Sequence, residues 1–450
     1  MRASPLAGRG GQKMARDFCG KGRHVLMVTN HGVHEWSVTP GMPDTGGQNV
    51  YVNHFTEALV SQGYRVTVVN RGGYPHPLTG APQSGERPHP SGRARIVYVE
   101  DGLPEFVRKE DMDERLPLLA DDLKRKVAGD PFDLIVSHYW DGCKLGALVN
   151  ESGVPHAWIP HSLGAIKKRN MDPSTWAGLR IDERIEAEHG LMAELDARVA
   201  TSTAIRDSFE QDYGAECRHF LPPCVDPLRY RPLRRWRLRP LWRFLSGLSP
   251  LSPREISKRK IVAEISRTDK TKRKDVLIRA FAGVKSWVPD ALLLVSIDDK
   301  SPLHPELMAL IRELDLEQDV IVLGSVWEWL PLIYNATDVY CTPSVMEGFG
   351  MTPQEAAACG KPAVSSDLVP FAVEYLLGGN PSREGGFLLG EAGAVVKADD
   401  VSGFVAAMVR LLRDGRLRRQ LGRRALQITI PYFTWENRTG DLMRDLGVSP

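Results

Sequence analysis

The 450-residue sequence predicts an α/β protein built from two doubly wound parallel sheets. Three observations carry that expectation. Short apolar runs of strand length alternate with helical stretches from His24 onward. The same rhythm restarts at Lys260. In the second half, the apolar run at 338–342 passes through a glycine-containing loop into an alanine-rich helical stretch at 353–359. That strand–loop–helix order is where open parallel sheets bind ligands.

In the first half, strands are expected at 24–30, 65–70, 95–99, 132–137, 156–160, 197–202 and 217–221. Helices are expected at 53–62, stopped by Gly63, and at 183–194, and Pro222-Pro223 closes this half. In the second half, strands are expected at 260–265, 292–297, 320–323, 338–342 and 363–366. Pro353 suits the first turn of the helix at 353–359, and Gly360-Lys361-Pro362 stops it.

A hydrophobic content of 42% is enough for large cores. With 58 Lys and Arg against 56 Asp and Glu, overall charge argues neither for nor against nucleic acid. Cys19, Cys143, Cys217, Cys224, Cys341 and Cys359 are scattered, and no C-x-x-C occurs. That suggests neither a disulfide framework nor a zinc cluster, and Cys341 and Cys359 read as core. Residues 1–22 are rich in Gly, Arg and Lys without an apolar centre, so a disordered start is expected and not a signal peptide. No run of 18 apolar residues exists, so no membrane span is expected, and a reducing cytoplasm fits.

The expected division is a disordered 1–22, a first domain at 23–228, a basic linker at 229–258, a second domain at 259–434 and a final helix at 435–450. Residues 229–260 mix many Arg and Lys with Trp236, Trp242 and Phe244. Such a segment reads as a solvated linker, a peripheral seat on anionic lipid, or a nucleic-acid contact.

Four constellations carry chemistry. Glu347 and Glu355 bracket the loop Gly348-Phe349-Gly350-Met351, where carboxylates can grip hydroxyls and helix-start N–H groups can face a diphosphate. Gly46-Gly47-Gln48 opens a helix, and two glycines let backbone approach a ligand closely. This stretch has neither the G-x-G-x-x-G spacing nor the G-K-[ST] of a P-loop. Arg267 and Lys272 are cations at a strand's carboxyl end, suited to a leaving diphosphate. His161 ends a strand before Ser162-Leu163-Gly164-Ala165-Ile166-Lys167 and can donate to a hydroxyl or phosphate. Asp111-Met112-Asp113 has the letters of a metal motif without a strand before it, and neither a Ser-His-Asp order nor H-E-x-x-H is evident.

The E-x7-E pattern of Glu347 and Glu355, the D-x-G-G-Q string from Asp44, the R-x4-K pair and H-S-L-G-A-x-K together resemble the retaining nucleotide-sugar glycosyltransferases of family 4. The resemblance spans about residues 24–440 and is strongest to sucrose-phosphate synthases and their relatives. It implies the GT-B fold, two Rossmann-like domains facing across a cleft. It implies a donor such as UDP-glucose or GDP-mannose bound by Gly46, Gly47, Arg267, Lys272, Glu347, Phe349, Gly350, Met351 and Glu355. Catalysis would fall to Glu347, His161, Arg267 and Lys272. A phosphorylated acceptor would meet Gln48, Lys109, Tyr139, Lys167 and Arg184, the last four matching the subfamily's phosphate-site strings. The last helix would cross back to the first domain.

The same resemblance implies no required cofactor or metal, a non-essential Mg²⁺ being compatible, and no nucleic-acid partner. Trp140, Asp367-Leu368-Val369-Pro370 and Val33-His34-Glu35-Trp36 depart from the subfamily's strings. The first and third bear on acceptor fit, the second on the diphosphate contact. The acceptor therefore stays open between a sugar phosphate and a phosphoglycerate-type molecule. A non-catalytic GT-B scaffold is the alternative class, and a nucleotide-sugar epimerase is disfavoured by the S-R-x-D and H-S-L-G-A strings.

Overall fold

The computed structural model describes residues 18, 21–39, 42–324 and 326–450. The chain divides into two compact units. Of the described residues, the first comprises those up to 200, 206–221 and 439–450; the second comprises those at 201–205 and 222–438.

The first unit's sheet contains β1 (His24–Val28), β2 (Arg65–Arg71), β3 (Glu86–Pro88), β4 (Ala94–Val99), β5 (Leu134–His138), β6 (His156–Ile159), β7 (Ala197–Ala200) and β8 (His219–Phe220). Their order is β3-β4-β2-β1-β5-β6-β7-β8. All pairs are parallel except β3 with β4. β1 and β5 are buried along their whole length, as expected of strands covered on both faces. Because β2 and β5 lie on opposite sides of β1, the winding reverses there, and the carboxyl ends of β1 and β5 frame a switch point.

The second unit repeats the plan with β9 (Lys260–Glu264), β10 (Ala291–Ser296), β11 (Val320–Leu323), β12 (Val339–Thr342), β13 (Ala363–Ser366), β14 (Ser382–Glu384), β15 (Phe387–Leu389) and β16 (Gly393–Val396), in the order β11-β10-β9-β12-β13-β16-β15-β14. Here β9, flanked by β10 and β12, marks the switch point. The antiparallel strands β14 and β15 were not anticipated; Gly385-Gly386 and a polar β14 hide them from a search for apolar runs.

The expected basic linker is instead folded into the second unit. Residues Arg235–Leu238 form a 3₁₀ turn that continues into helix Arg239–Ser246, followed by a short helix, Pro253–Ile256. Leu238, Leu241, Leu245 and Ile256 are buried in the core that also holds Ile261 and Tyr334. The reason is spacing: 238, 241 and 245 recur on one helical face, so arginines elsewhere on the turn do not prevent burial.

Of the expected disordered start, residues 1–17, 19 and 20, Cys19 included, lie outside the described residues. The Phe18 ring sits under two guanidiniums, Arg95 at 4.3 Å and Arg65 at 4.8 Å. The other five cysteines are free and buried. Helix Trp435–Asp445 has its last residues, from Thr439, grouped with the first unit, where the Tyr64 hydroxyl donates to the Val448 carbonyl at 2.5 Å. Among the described residues, no helix is long and apolar enough to cross a membrane.

Candidate functional site

Each unit carries its candidate residues on the loops and helices that follow the carboxyl ends of its strands. In the first unit, the loop after β1 is braced by Thr45, whose hydroxyl accepts from the Val33 N–H at 2.8 Å and donates to the Pro43 carbonyl at 2.9 Å. Gly46 donates its N–H to Asn49 Oδ1 at 3.0 Å, starting helix Gly47–Ser61. The backbone of Gly46 is extended, at φ 178°, and a Cβ there would meet nothing within 4 Å. Neither backbone nor packing requires glycine at 46; the space in front of it is open. Gln48 donates to the Thr29 hydroxyl at 3.1 Å.

At the end of β5, Tyr139 takes a left-handed backbone at φ 65°, and at the end of β6, His161 does so at φ 57°. Asp44 and Arg180 share this conformation. Such residues persist only where surroundings over-determine them, and they gather at functional sites. Tyr139 is fixed on three sides. Trp158 Nε1 donates to its carbonyl at 2.9 Å, the Arg184 guanidinium lies 4.2 Å from its ring centroid, and His31 packs edge-on at 4.7 Å. His31 in turn is 3.1 Å from the buried Asp141 carboxylate.

Lys109, Tyr139, Lys167 and Arg184, up to 75 positions apart, line one solvent-open recess. Trp140 and Arg180 line it too, with Glu110, Asp113 and Glu183. Arg184 is buried and spends its fork on the protein: Nε donates to Glu188 Oε1 at 2.8 Å, one terminal nitrogen to the Tyr139 hydroxyl at 2.5 Å, and the other to the Ser162 carbonyl at 2.5 Å. Burial alone would depress its pKa, but Glu188 and Tyr139 outweigh that and raise it. Lys109 pairs with Asp44 and lies 3.2 Å from Glu110. Burial opposes its charge, yet the Asp44 partnership raises its pKa. Arg180 donates to Glu183 at 2.8 Å.

Lys167 differs from these cations. Its ammonium makes no ion pair or hydrogen bond among the described residues, while its backbone N–H donates to the Leu163 carbonyl at 3.0 Å. Burial, then the nearby Arg184 and Lys109 charges, lowers its pKa to about 8. Among the described residues the Lys167 ammonium thus has no direct anionic partner, and the more distant Glu110 and Asp44 charges only partly offset its burial, an arrangement that an arriving anion relieves. With pKa about 8, Lys167 is charged below that pH and loses its charge as pH rises through it. Acceptor KM is therefore expected to rise about tenfold per pH unit above that value with kcat unchanged, while Lys167→Arg, charged throughout, removes this limb. Initial-rate kinetics across the alkaline range checks both.

His161 stacks on the fully buried His138 at 5.1 Å, and His138 Nδ1 lies 2.9 Å from His161 Nε2. His138 Nε2 is buried without a partner among the described residues. A buried unpaired lone pair is tolerated better than a buried unpaired N–H, so His138 carries its proton on Nδ1 and donates it to His161. His161 then carries its own proton on Nδ1. Burial, reinforced by His31, lowers the His161 pKa to about 3, so the ring is a neutral donor at working pH.

In the second unit, two loops are tied together before any side chain meets. Val345 donates its N–H to the Thr271 carbonyl at 2.8 Å, and the Ser344 hydroxyl donates to the same oxygen at 3.1 Å. That brings Lys272 Nζ within 2.6 Å of Glu347 Oε1, both mostly shielded from solvent. Glu347 Oε2 has no partner among the described residues. Gly350 sits at φ 108°, and a Cβ there would lie 2.7 Å from Val369, so only glycine fits.

Helix Met351–Ala358 begins two residues before the expected start, putting Pro353 third, where an N–H still has no helical acceptor. Glu355 is half-buried and accepts from the Tyr334 hydroxyl at 2.7 Å. Phe349 is not a surface contact: its ring packs in the core against Phe371, Phe433 and Tyr375, so only its backbone is open to a donor role. Arg267 is the outlier, its side chain 74% exposed and 3.7 Å from Asp269, and it makes no contact with Lys272 or Glu347 among the described residues.

Lys274 carries no sequence signal: it is fully buried and paired with Glu264 beneath the Arg267 loop, where it also donates to the Ser266 hydroxyl at 3.0 Å. Arg180, His31, Asp141 and the role of His138 carry none either. Lys274 and Arg180 lie outside the quoted strings' charged positions, and a histidine pair across two strands leaves no mark on spacing. Among the described residues, no group of three or more His, Cys, Asp or Glu is arranged to hold a metal ion.

Two doubly wound sheets of this kind are the architecture of the GT-B fold class. The chain belongs to glycosyltransferase family 4: residues 45–229 match the model described as Glycosyltransferase Family 4, and residues 252–427 match Glycosyl transferases group 1. It is 30% identical over 346 residues to a D-inositol 3-phosphate glycosyltransferase of Rhodococcus erythropolis, covering 73% of each chain. It is 29% identical over 359 residues to mannosylfructose-phosphate synthase of Agrobacterium fabrum, covering 76% of this chain and 75% of that protein.

Among solved structures, a sucrose-phosphate synthase from Thermosynechococcus elongatus superposes with TM-score 0.77 at 23% identity, covering 95% of this chain and 100% of that one. Anabaena HepE in complex with UDP-glucose gives 0.67 at 16% identity, covering 94% and 99%. These likenesses show the fold.

Proposed function

We propose that the protein is a retaining glycosyltransferase that moves a hexose from a nucleotide sugar, UDP-glucose or GDP-mannose, to a small phosphorylated acceptor. The observation that carries this reading is Lys167, a cation without a direct anionic partner among the described residues, in a recess it shares with Lys109, Tyr139 and Arg184. A phosphate dianion supplies the missing charge. The reading is supported by relatives whose names join a sugar transfer to a phosphorylated product or acceptor, and by HepE, a fold neighbour solved with UDP-glucose.

In the second unit, Glu355 would hold the ribose, Glu347 Oε2 the donor hexose hydroxyls, and Lys272 with Arg267 the diphosphate. The anomeric carbon–phosphate oxygen bond breaks as the acceptor hydroxyl bonds the same face, its proton passing to the departing phosphate oxygen. Lys272, held in place by Glu347, stabilises the charge that gathers there, and the exposed Arg267 would have to move onto the diphosphate to add to it. His161 Nδ1–H would donate to the donor sugar. Gly46, Gly47, Gln48 and the helix they open complete the binding set. No step requires a metal.

A matrix of UDP- and GDP-sugars against phosphorylated and unphosphorylated acceptors, read by nucleotide release and by the anomeric configuration of the product, tests this. Transfer with retention, selective for a phosphorylated acceptor, is the expected result. Nucleotide binding without transfer to any acceptor would place the chain with the scaffolds.

The His138–His161 contact gives a further expectation. His138→Leu, which removes the donor, is expected to lower kcat about 10–100-fold by freeing the His161 ring. His138→Asn can donate in its place and keeps most of the rate. Because His161 is neutral well above its pKa of about 3, it adds no limb to the kcat profile from mildly acidic to neutral pH.

A further inference from the structure

Residues 229–260 carry eleven Lys and Arg and one acid, Glu255, a net +10 in a chain of net +2, so the remainder carries −8. Folding does not neutralise this segment. Arg231, Arg234, Arg235, Arg237, Arg239 and Arg243 are all exposed, and none makes an ion pair among the described residues. The cations that are paired, Arg259 with Asp319 at 3.6 Å and Lys260 with Asp290 at 3.5 Å, lie at the end of the segment, beside β9.

The helical run has two sides. Leu238, Leu241 and Leu245 face inward and are consumed by the core. Trp236, Arg239 and Arg243, at spacings of three and four, lie on the outward line. The core anchors this run, so it presents its charges from a fixed base.

Large apolar side chains stand among these cations: Trp236 is 58% exposed and Leu248 47%. An exposed tryptophan with a guanidinium over it, Arg237 at 5.2 Å, suits a headgroup boundary. Leu248 separates two anionic partners. Bases stack on aromatic faces, and a leucine offers none, whereas it gains by entering the acyl boundary.

We propose that the face of the second unit formed by residues 231–248 docks on a membrane surface rich in anionic lipid. The negative remainder of the chain is repelled by the same surface, so charge also selects the docking orientation.

The test uses the full chain with vesicles of phosphatidylcholine alone or mixed with phosphatidylglycerol. Co-sedimentation with the mixed vesicles only, weakening as salt rises, is expected. Arg239→Gln with Arg243→Gln should lower the partition coefficient about thirtyfold, with transfer to a soluble acceptor unchanged. Trp236→Ala should weaken binding as well, and it keeps the proposal testable if the double variant folds poorly. Equal binding to neutral vesicles, no binding at low salt, or capture of single-stranded RNA in place of vesicles with the same arginine dependence would each overturn it.

Discussion

Lys272→Ala is expected to lower kcat about a thousandfold, the upper range for losing one preorganised group at a developing charge. The ammonium is held by Glu347 Oε1 at 2.6 Å, on a loop tied to the Glu347 loop through the Thr271 carbonyl. Its position is therefore set before the donor arrives, and the transition state spends nothing on arranging it. Glu347→Ala should cost about as much, through lost contact with the hexose hydroxyls and a loosened Lys272.

A double-mutant cycle separates the alternatives. Two groups acting as one unit give a double variant little worse than either single one, whereas independent roles multiply. The pair is partly solvated, so the circular dichroism spectrum and cooperative melting should persist. Wild-type turnover in either single variant would remove the donor assignment.

Arg184→Ala is expected to be the most damaging change to both stability and acceptor binding. Its guanidinium is buried and joins Glu188, Tyr139 and Ser162. Alanine leaves the fully buried Glu188 without its cation. Gly164 N–H still donates to that carboxylate at 2.9 Å, as does Tyr213, so a loss near the low end for a broken buried pair, about 3 kcal/mol, follows. Urea unfolding measures it.

Because Arg184 lines the recess itself and its bond to the Tyr139 hydroxyl positions that residue there, KM for a phosphorylated acceptor should rise at least about a hundredfold. Arg184→Lys keeps the charge but not the fork, so it should regain most of the stability and little of the affinity. Equal effects on phosphorylated and unphosphorylated acceptors would show that the recess does not read phosphate.

What could be read from the chain beforehand was what local pattern encodes. Apolar runs located the parallel strands because those strands are buried on both faces. Glu347, Glu355, Gly350 and Lys272 could be picked out as candidates because a loop between strand and helix compresses its chemistry into a few residues, and the fold sets Lys272 beside Glu347. Lys109 and Lys167 were legible only through strings resembling a known subfamily, since nothing local says that positions 58 apart share a recess.

Pairings made by the fold stayed hidden. His138 with His161 needs adjacent parallel strands to end level, and Lys274 with Glu264 needs a helix laid over β9. The 229–258 segment was misread because its arginines outnumber the three leucines that decide its place.

The left-handed backbone at Asp44, Tyr139, His161 and Arg180 has a consequence for engineering. Arg180 is the least enclosed of the four, so glycine there would relax the main chain at little packing cost, and a selection for heat resistance alone would accept it. At Tyr139 the same change would empty a buried ring site and cost more than the relaxed backbone returns. Thermostable variants carrying Arg180→Gly should emerge well folded but stripped of a cation that lines the recess, and stabilising effort belongs on the outer helices instead.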